Sequence, residues 1–163
     1  CKHCASFKGD DHCKRCPKNP SPFLRTLALF HEKEGAKALS ATLSREGGGF
    51  LAESIAGMLL VQMERAGMPF PEIWIPAQDK GSKIVAQALE KITSIPSIDC
   101  IKKGNWIKPK ATLKKKQTVR IEEKNICLVC IGPQGFASLA EEGEVLAEAY
   151  PKTMNALMLS REL

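Results

Sequence analysis

Apolar positions along the chain recur at two spacings that take turns, and the alternation predicts the elements. Leu24 to Phe30 is continuously apolar and suits a strand or the start of a buried helix. Glu34 to Ser44 reads as helical and is stopped by Gly47, Gly48 and Gly49. Phe50 to Arg65 places Leu51, Ile55, Met58 and Leu59 on one face at the helical period, and Gly67 with Pro69 ends it. The period then shortens. Glu72 to Pro76 is a short apolar strand, followed by an amphipathic helix over Ser82 to Ile92 with Val85, Ala88, Leu89 and Ile92 inward. Ser97 to Ile101 is a strand candidate and Asn125 to Ile131 a stronger one. Phe136 to Ala149 predicts a helix burying Phe136, Leu139, Ala140, Gly143 and Leu146, with the acidic stretch Glu141 to Glu144 as its exposed face. Thr153 to Leu159 predicts a last strand.

Strands alternating with helices of ten or more residues require crossover connections, so the expected class is α/β with a doubly wound, mostly parallel sheet. The apolar run Ile126 to Ile131 suits a strand covered on both faces. Cys127 and Cys130 within it form a C-x-x-C pair, but residues three apart on a strand point to opposite faces. They read as core, as does Cys100. No internal repeat is visible.

The N-terminal cysteines are different. Cys1 and Cys4 form one C-x-x-C turn and Cys13 and Cys16 another, together supplying the four sulfurs that tetrahedral zinc prefers. Lys2, His3, Lys8, His12, Lys14 and Arg15 add positive charge that favours thiolate over thiol. His3 and His12 could each replace a neighbouring cysteine, though four sulfurs suffice. The segment has no hydrophobic run, so zinc would supply its folding free energy, on the order of 10 kcal/mol in zinc-finger peptides. Disulfides or free thiols are the other readings. Pro17, Pro20 and Pro22 form a stiff connector, which divides the chain into a zinc module with linker at 1–22 and an α/β domain at 23–163.

The chain has 163 residues, of which 44% are hydrophobic, enough for one compact domain with an appendage. A formal charge of +6 and a pI near 9.0 point to anionic partners, nucleic acid or phosphorylated metabolites, without choosing between them. An odd cysteine count of 7 with C-x-x-C clustering fits a reducing cytoplasm better than secretion. No apolar stretch reaches the roughly 18 residues of a membrane span. The first residue is Cys1 and not methionine, so a preceding segment, including a removed targeting sequence, stays open.

Positive charge concentrates in an insert at 102–124, which holds Lys102, Lys103, Lys108, Lys110, Lys114, Lys115, Lys116, Arg120 and Lys124, with Trp106 among them. Irregularly spaced lysines make a field of point charges that grips phosphates without reading bases. Trp106 could stack on one unpaired base, worth roughly 1–3 kcal/mol. A solvated loop with Trp106 tucked against the domain is the plainer reading. His31 with Glu32 or Glu34 is the nearest thing to an acid/base pair, and a solvated helix start explains it.

The four-cysteine module, the order of elements and the lysine-rich insert together resemble the ComF family of competence-associated proteins, over nearly the whole chain. In that family a zinc module precedes a phosphoribosyltransferase-type domain. Ile73-Trp74-Ile75-Pro76 resembles the family's first core strand, and Lys80-Gly81-Ser82-Lys83 stands where the family has an Arg-Gly-Phe-Asn turn. Gln117 to Asn125, with Arg120 between, resembles its Gln-rich, Arg-containing stretch, and the insert corresponds to its hood. The donor-binding loop departs from the pattern. Two acids followed by Thr-Thr-Gly-Ala-Thr are replaced by Cys130 and Ile131, then Gln134, Gly135, Phe136, Ala137 and Ser138.

In such transferases the paired acids hold the ribose hydroxyls while loop N–H groups grip phosphate. Cys130 and Ile131 offer neither charge nor a hard oxygen ligand, so the sugar positioning is lost. The resemblance therefore implies a protein that handles single-stranded DNA in competence and DNA uptake, a zinc-binding, cytoplasmic pseudoenzyme with helicase or DNA-processing partners. A loop with Gly132, Gly135 and Ser138 could still present N–H groups to one phosphate. Two rivals stand beside this reading. One is a working transferase, dependent on Mg2+ and phosphoribosyl pyrophosphate, with its acid moved to Asp79 or Asp99; the other is a protein-binding adaptor. Oligomeric state is not legible.

Overall fold

The computed structural model describes residues 21–30, 33–45, 48–102, 111–132 and 136–160. In chain order the elements are β1 (Arg25–Phe30), α1 (Lys33–Ser44), α2 (Phe50–Arg65), β2 (Ile73–Pro76), α3 (Lys80–Thr93), β3 (Ile101–Lys102), β4 (Thr112–Leu113), α4 (Lys115–Ile121), β5 (Asn125–Cys130), α5 (Phe136–Ala147) and β6 (Thr153–Ser160). Four strands make one sheet in the order β1-β6-β5-β2, and every pairing in it is parallel. The fold is α/β, as the alternation of periods predicts. The apolar run at 24–30, open between strand and helix in the sequence, is a strand paired with β6.

Strand β5 shows why the sheet is covered on both sides. Cys127, Val129 and the following Ile131 face a core built with α1, α2, α3 and Trp74. Ile126, Leu128 and Cys130 face a second core with Phe23, Ile121 of α4, and Leu139 and Leu146 of α5. The third C-x-x-C pair is thus split across the sheet, and Cys100 is buried as well. No described helix is long and apolar enough to cross a membrane.

Four sequence expectations need correction. The 97–101 segment is mostly not a strand: Ile98 donates to Trp74 O (2.8 Å) and Trp74 to Pro96 O (2.9 Å), giving one bridge at Ser97, and regular pairing starts only at Ile101. Pro96 has no N–H to extend the ladder. Met58 lies on the outer side of α2, whose buried residues are Ala52, Ile55, Ala56, Leu59 and Met63. Ile92 is 48% exposed, because the inner stripe of α3 runs through Val85, Ala86, Ala88 and Leu89. The fourth is Glu142. It is buried, not part of an exposed acidic face, while Glu141 and Glu144 do face solvent. Ala140 is half-buried, and the Phe136 side chain lies outside the described residues.

Candidate functional site

From β2 the chain crosses through α3 to the Ser97 segment on one side of β2, then returns to place β5 on the other side. The crevice between the carboxyl ends of β2 and β5 is therefore the topological switch point, where open parallel sheets bind ligands. Three residues close the turns there. Asp79 caps α3: Ser82 N–H donates to its Oδ1 at 2.8 Å, and Ser82 Oγ donates to its Oδ2. Ser82 Oγ in turn accepts from Ile131 N–H at 2.8 Å, joining the turn after β5 to the start of α3. A methyl group on Gly132 would lie 3.0 Å from the Asp79 carboxyl, so a side chain there would push the cap of α3 aside by a few tenths of an ångström. Gln78 ties the same edge to β3 through Nε2 and Ile101 O (2.6 Å).

Cys130 and Ile131, the positions of the donor-binding acids in the resembling family, are both buried and point into opposite cores. Burial pushes the Cys130 thiol well up, with Asp79 and Glu142 adding to it, so it stays protonated. Of the loop that follows, Gln134 and Gly135 lie outside the described residues. Phe136, Ala137 and Ser138 form the first turn of α5, and their side chains lie outside them too. The two substitute acids are occupied otherwise: Asp79 caps α3, and Asp99 is ion-paired to Lys83 and Lys114, each at 2.9 Å. Burial works to raise the Asp99 carboxyl, but the two lysines outweigh it and the net shift is downward.

The basic insert is rooted beside this edge. Its base is the antiparallel pair β3–β4, with Ile101 opposite Leu113 and Lys102 opposite Thr112. Buried Ile121 of α4 anchors its far end in the second core. Between these anchors Lys102, Val119 and Arg120 are exposed, and Arg120 donates to Gln117 Oε1 at 3.3 Å. Lys114 is committed to Asp99, donating also to its carbonyl at 3.0 Å, and Lys124 is paired with Glu72 at 3.0 Å. Lys115 and Lys116 open α4, their side chains outside the described residues. Lys103, Trp106, Lys108 and Lys110 lie outside them, as do Cys1, Cys4, Cys13 and Cys16. Among the described residues no group of three or more His, Cys, Asp or Glu gathers as for a metal.

Two site residues escaped the sequence reading. The sequence places Ser82 at a helix start and in the turn that resembles Arg-Gly-Phe-Asn, but not as the partner of Asp79, which three residues before it has the spacing of an N-cap. Glu142 shares its helix face with Leu139 and Leu146, and that periodicity could have marked it as buried. Comparison with family models, with curated proteins and with solved structures gives no match to the chain.

Proposed function

We propose that the chain is a zinc-bearing, non-catalytic protein that handles single-stranded DNA, as its resemblance to the ComF family implies. The observation that carries the non-catalytic half is the carboxyl end of β5. Two buried side chains without charge stand there, Cys130 and Ile131, and the two substitute acids, Asp79 and Asp99, are already engaged. A ribose would find no carboxylate pair at that position. Purified protein with Mg2+ and phosphoribosyl pyrophosphate should release no pyrophosphate with any nucleobase, and steady release would overturn this half.

The DNA-handling half is supported by the insert. Its base, the β3–β4 pair, is tied to Gln78 at the crevice through Ile101 O, and Lys102 and Arg120 are exposed. Contacts of this kind act on the backbone and are independent of base sequence. Zinc on Cys1, Cys4, Cys13 and Cys16 is part of the proposal, and a metal assay should return one zinc per chain. The protein-adaptor reading has one observation of its own: Phe50, Met58 and Val61 leave an apolar stripe along the outside of α2. A stable complex with a cellular protein, in a chain that binds no oligonucleotide at low salt, would decide for it.

A further inference from the structure

Glycine stands at position 57 for no reason that the fold itself supplies. It lies in the middle of α2, where glycine is less stable than alanine, and its φ is not positive. A methyl group built on it would meet nothing within 4 Å. The buried stripe of α2 runs through Ala52, Ile55, Ala56, Leu59 and Met63, so Gly57 belongs to the opposite side. That outer side carries, turn by turn, Phe50, Ser54, Gly57 with Met58, Val61 and Arg65. Phe50 is 73% exposed, Val61 47% and Met58 40%. The Arg65 guanidinium has no hydrogen-bond or ion-pair partner among the described residues.

We infer that this outer stripe is a self-association surface whose partner is α2 of a second copy of the chain, packed antiparallel about a two-fold axis between Gly57 and Met58. The stripe is its own complement. Gly57 of each copy lies at the crossing, so the helix axes approach more closely than any side chain there would allow. Running in opposite directions from that point, Ser54 comes level with Val61 of the second copy, and Phe50 with Arg65. The first pair sets small against large, the second a cation against an aromatic ring. Both pairs recur on the other side of the axis, as a two-fold contact requires. An unrelated partner would not need the two halves of the stripe to match. A single helix pair buries less than a standard interface, so the dimer is a weak one. Two copies of formal charge +6 also repel, so salt should strengthen this contact, the reverse of its effect on binding to DNA.

Sedimentation equilibrium of the full chain, from micromolar to millimolar concentration, tests it. The mass should rise from 17.8 kDa toward twice that value, and at lower concentration when salt is added. Gly57→Gln is the deciding variant. Its side chain has open room in the folded monomer and improves helix propensity, so it should melt no lower than wild type. It blocks the crossing, however, and should weaken self-association by roughly tenfold or more. A chain that stays monomeric at millimolar concentration would overturn the inference, as would equal association of wild type and Gly57→Gln. So would a monomer that captures a cellular protein through Phe50, which would give the stripe to the adaptor reading. Amide shifts of wild type on dilution need no variant: they should be confined to the outer side of α2, and shifts centred elsewhere would place the contact on another face.

Discussion

Ser82 shows how much one small hydroxyl can organise. It is buried, donates to Asp79 and accepts from Ile131, so two turns depend on a single oxygen. Ser82→Ala leaves the buried Ile131 N–H without an acceptor and should cost about 1–3 kcal/mol. Urea denaturation measures it, and a loss under ~0.5 kcal/mol would mean that the turns are held by something else. Glu142 sets a pH dependence with a definite sign. Its folded-state value is raised to about 7 from 4.5, so the folded protein holds the proton more tightly than the unfolded chain. The stability this gives is complete below the unfolded value and is lost as pH rises through the folded one. The melting temperature of wild type should therefore fall against that of Glu142→Gln between pH 5 and pH 8. Parallel curves would contradict the burial argument. Neither residue's role was legible from residue type: Ser82 had a capping partner at the right spacing, while Glu142 stood in an acidic run whose other members do face water.

At the scale of elements, helix α5 meets the chain's entry into the sheet where no side chain fits. A methyl group on Gly143 would lie 2.5 Å from Pro22 Cγ and 2.6 Å from Phe23 Cζ. Phe23 is buried in the second core, so it cannot turn aside without leaving a cavity. Gly143→Ala should destabilise by about 1–3 kcal/mol through overpacking, despite alanine's better helix propensity. Thermal denaturation checks it, and a rise in melting temperature would show that α5 can shift away. Element positions were largely readable because the period changes with each crossover. What the period could not supply was which side of a helix meets the sheet. Met58 and Ile92 fall at plausible inward spacings, yet Ala52, Ile55, Ala56, Leu59 and Met63 fill the inner stripe of α2, and Val85, Ala86, Ala88 and Leu89 that of α3. The two-residue strands β3 and β4 are too short to leave a periodic trace, and their pairing is set by contact across the insert.

Across the whole molecule, charge and topology meet at one edge. The parallel order β1-β6-β5-β2 gives the switch-point crevice, and the insert emerges beside it. The sequence showed the lysines but not their partners. Asp99 binds Lys83 and Lys114, and Glu72 binds Lys124, so the count of positive residues overstates the field the insert projects. Partners so far apart in sequence come together only once the sheet has formed. If ~5 phosphates of a single strand are contacted, affinity should fall with salt at a log–log slope near −3.5. Removing Lys115 and Lys116 together should flatten that slope by about one unit. Removing Lys114 should change it less, because its charge is offset by Asp99. Equal effects of all three would mean that the Asp99 pair opens when DNA binds.

The most direct test of the account is fluorescence anisotropy of a labelled single-stranded oligonucleotide, titrated with zinc-loaded full chain at two salt concentrations. The account predicts micromolar or tighter binding that weakens steeply as salt is raised. No binding at low salt would contradict it and leave the basic insert as a solvated surface.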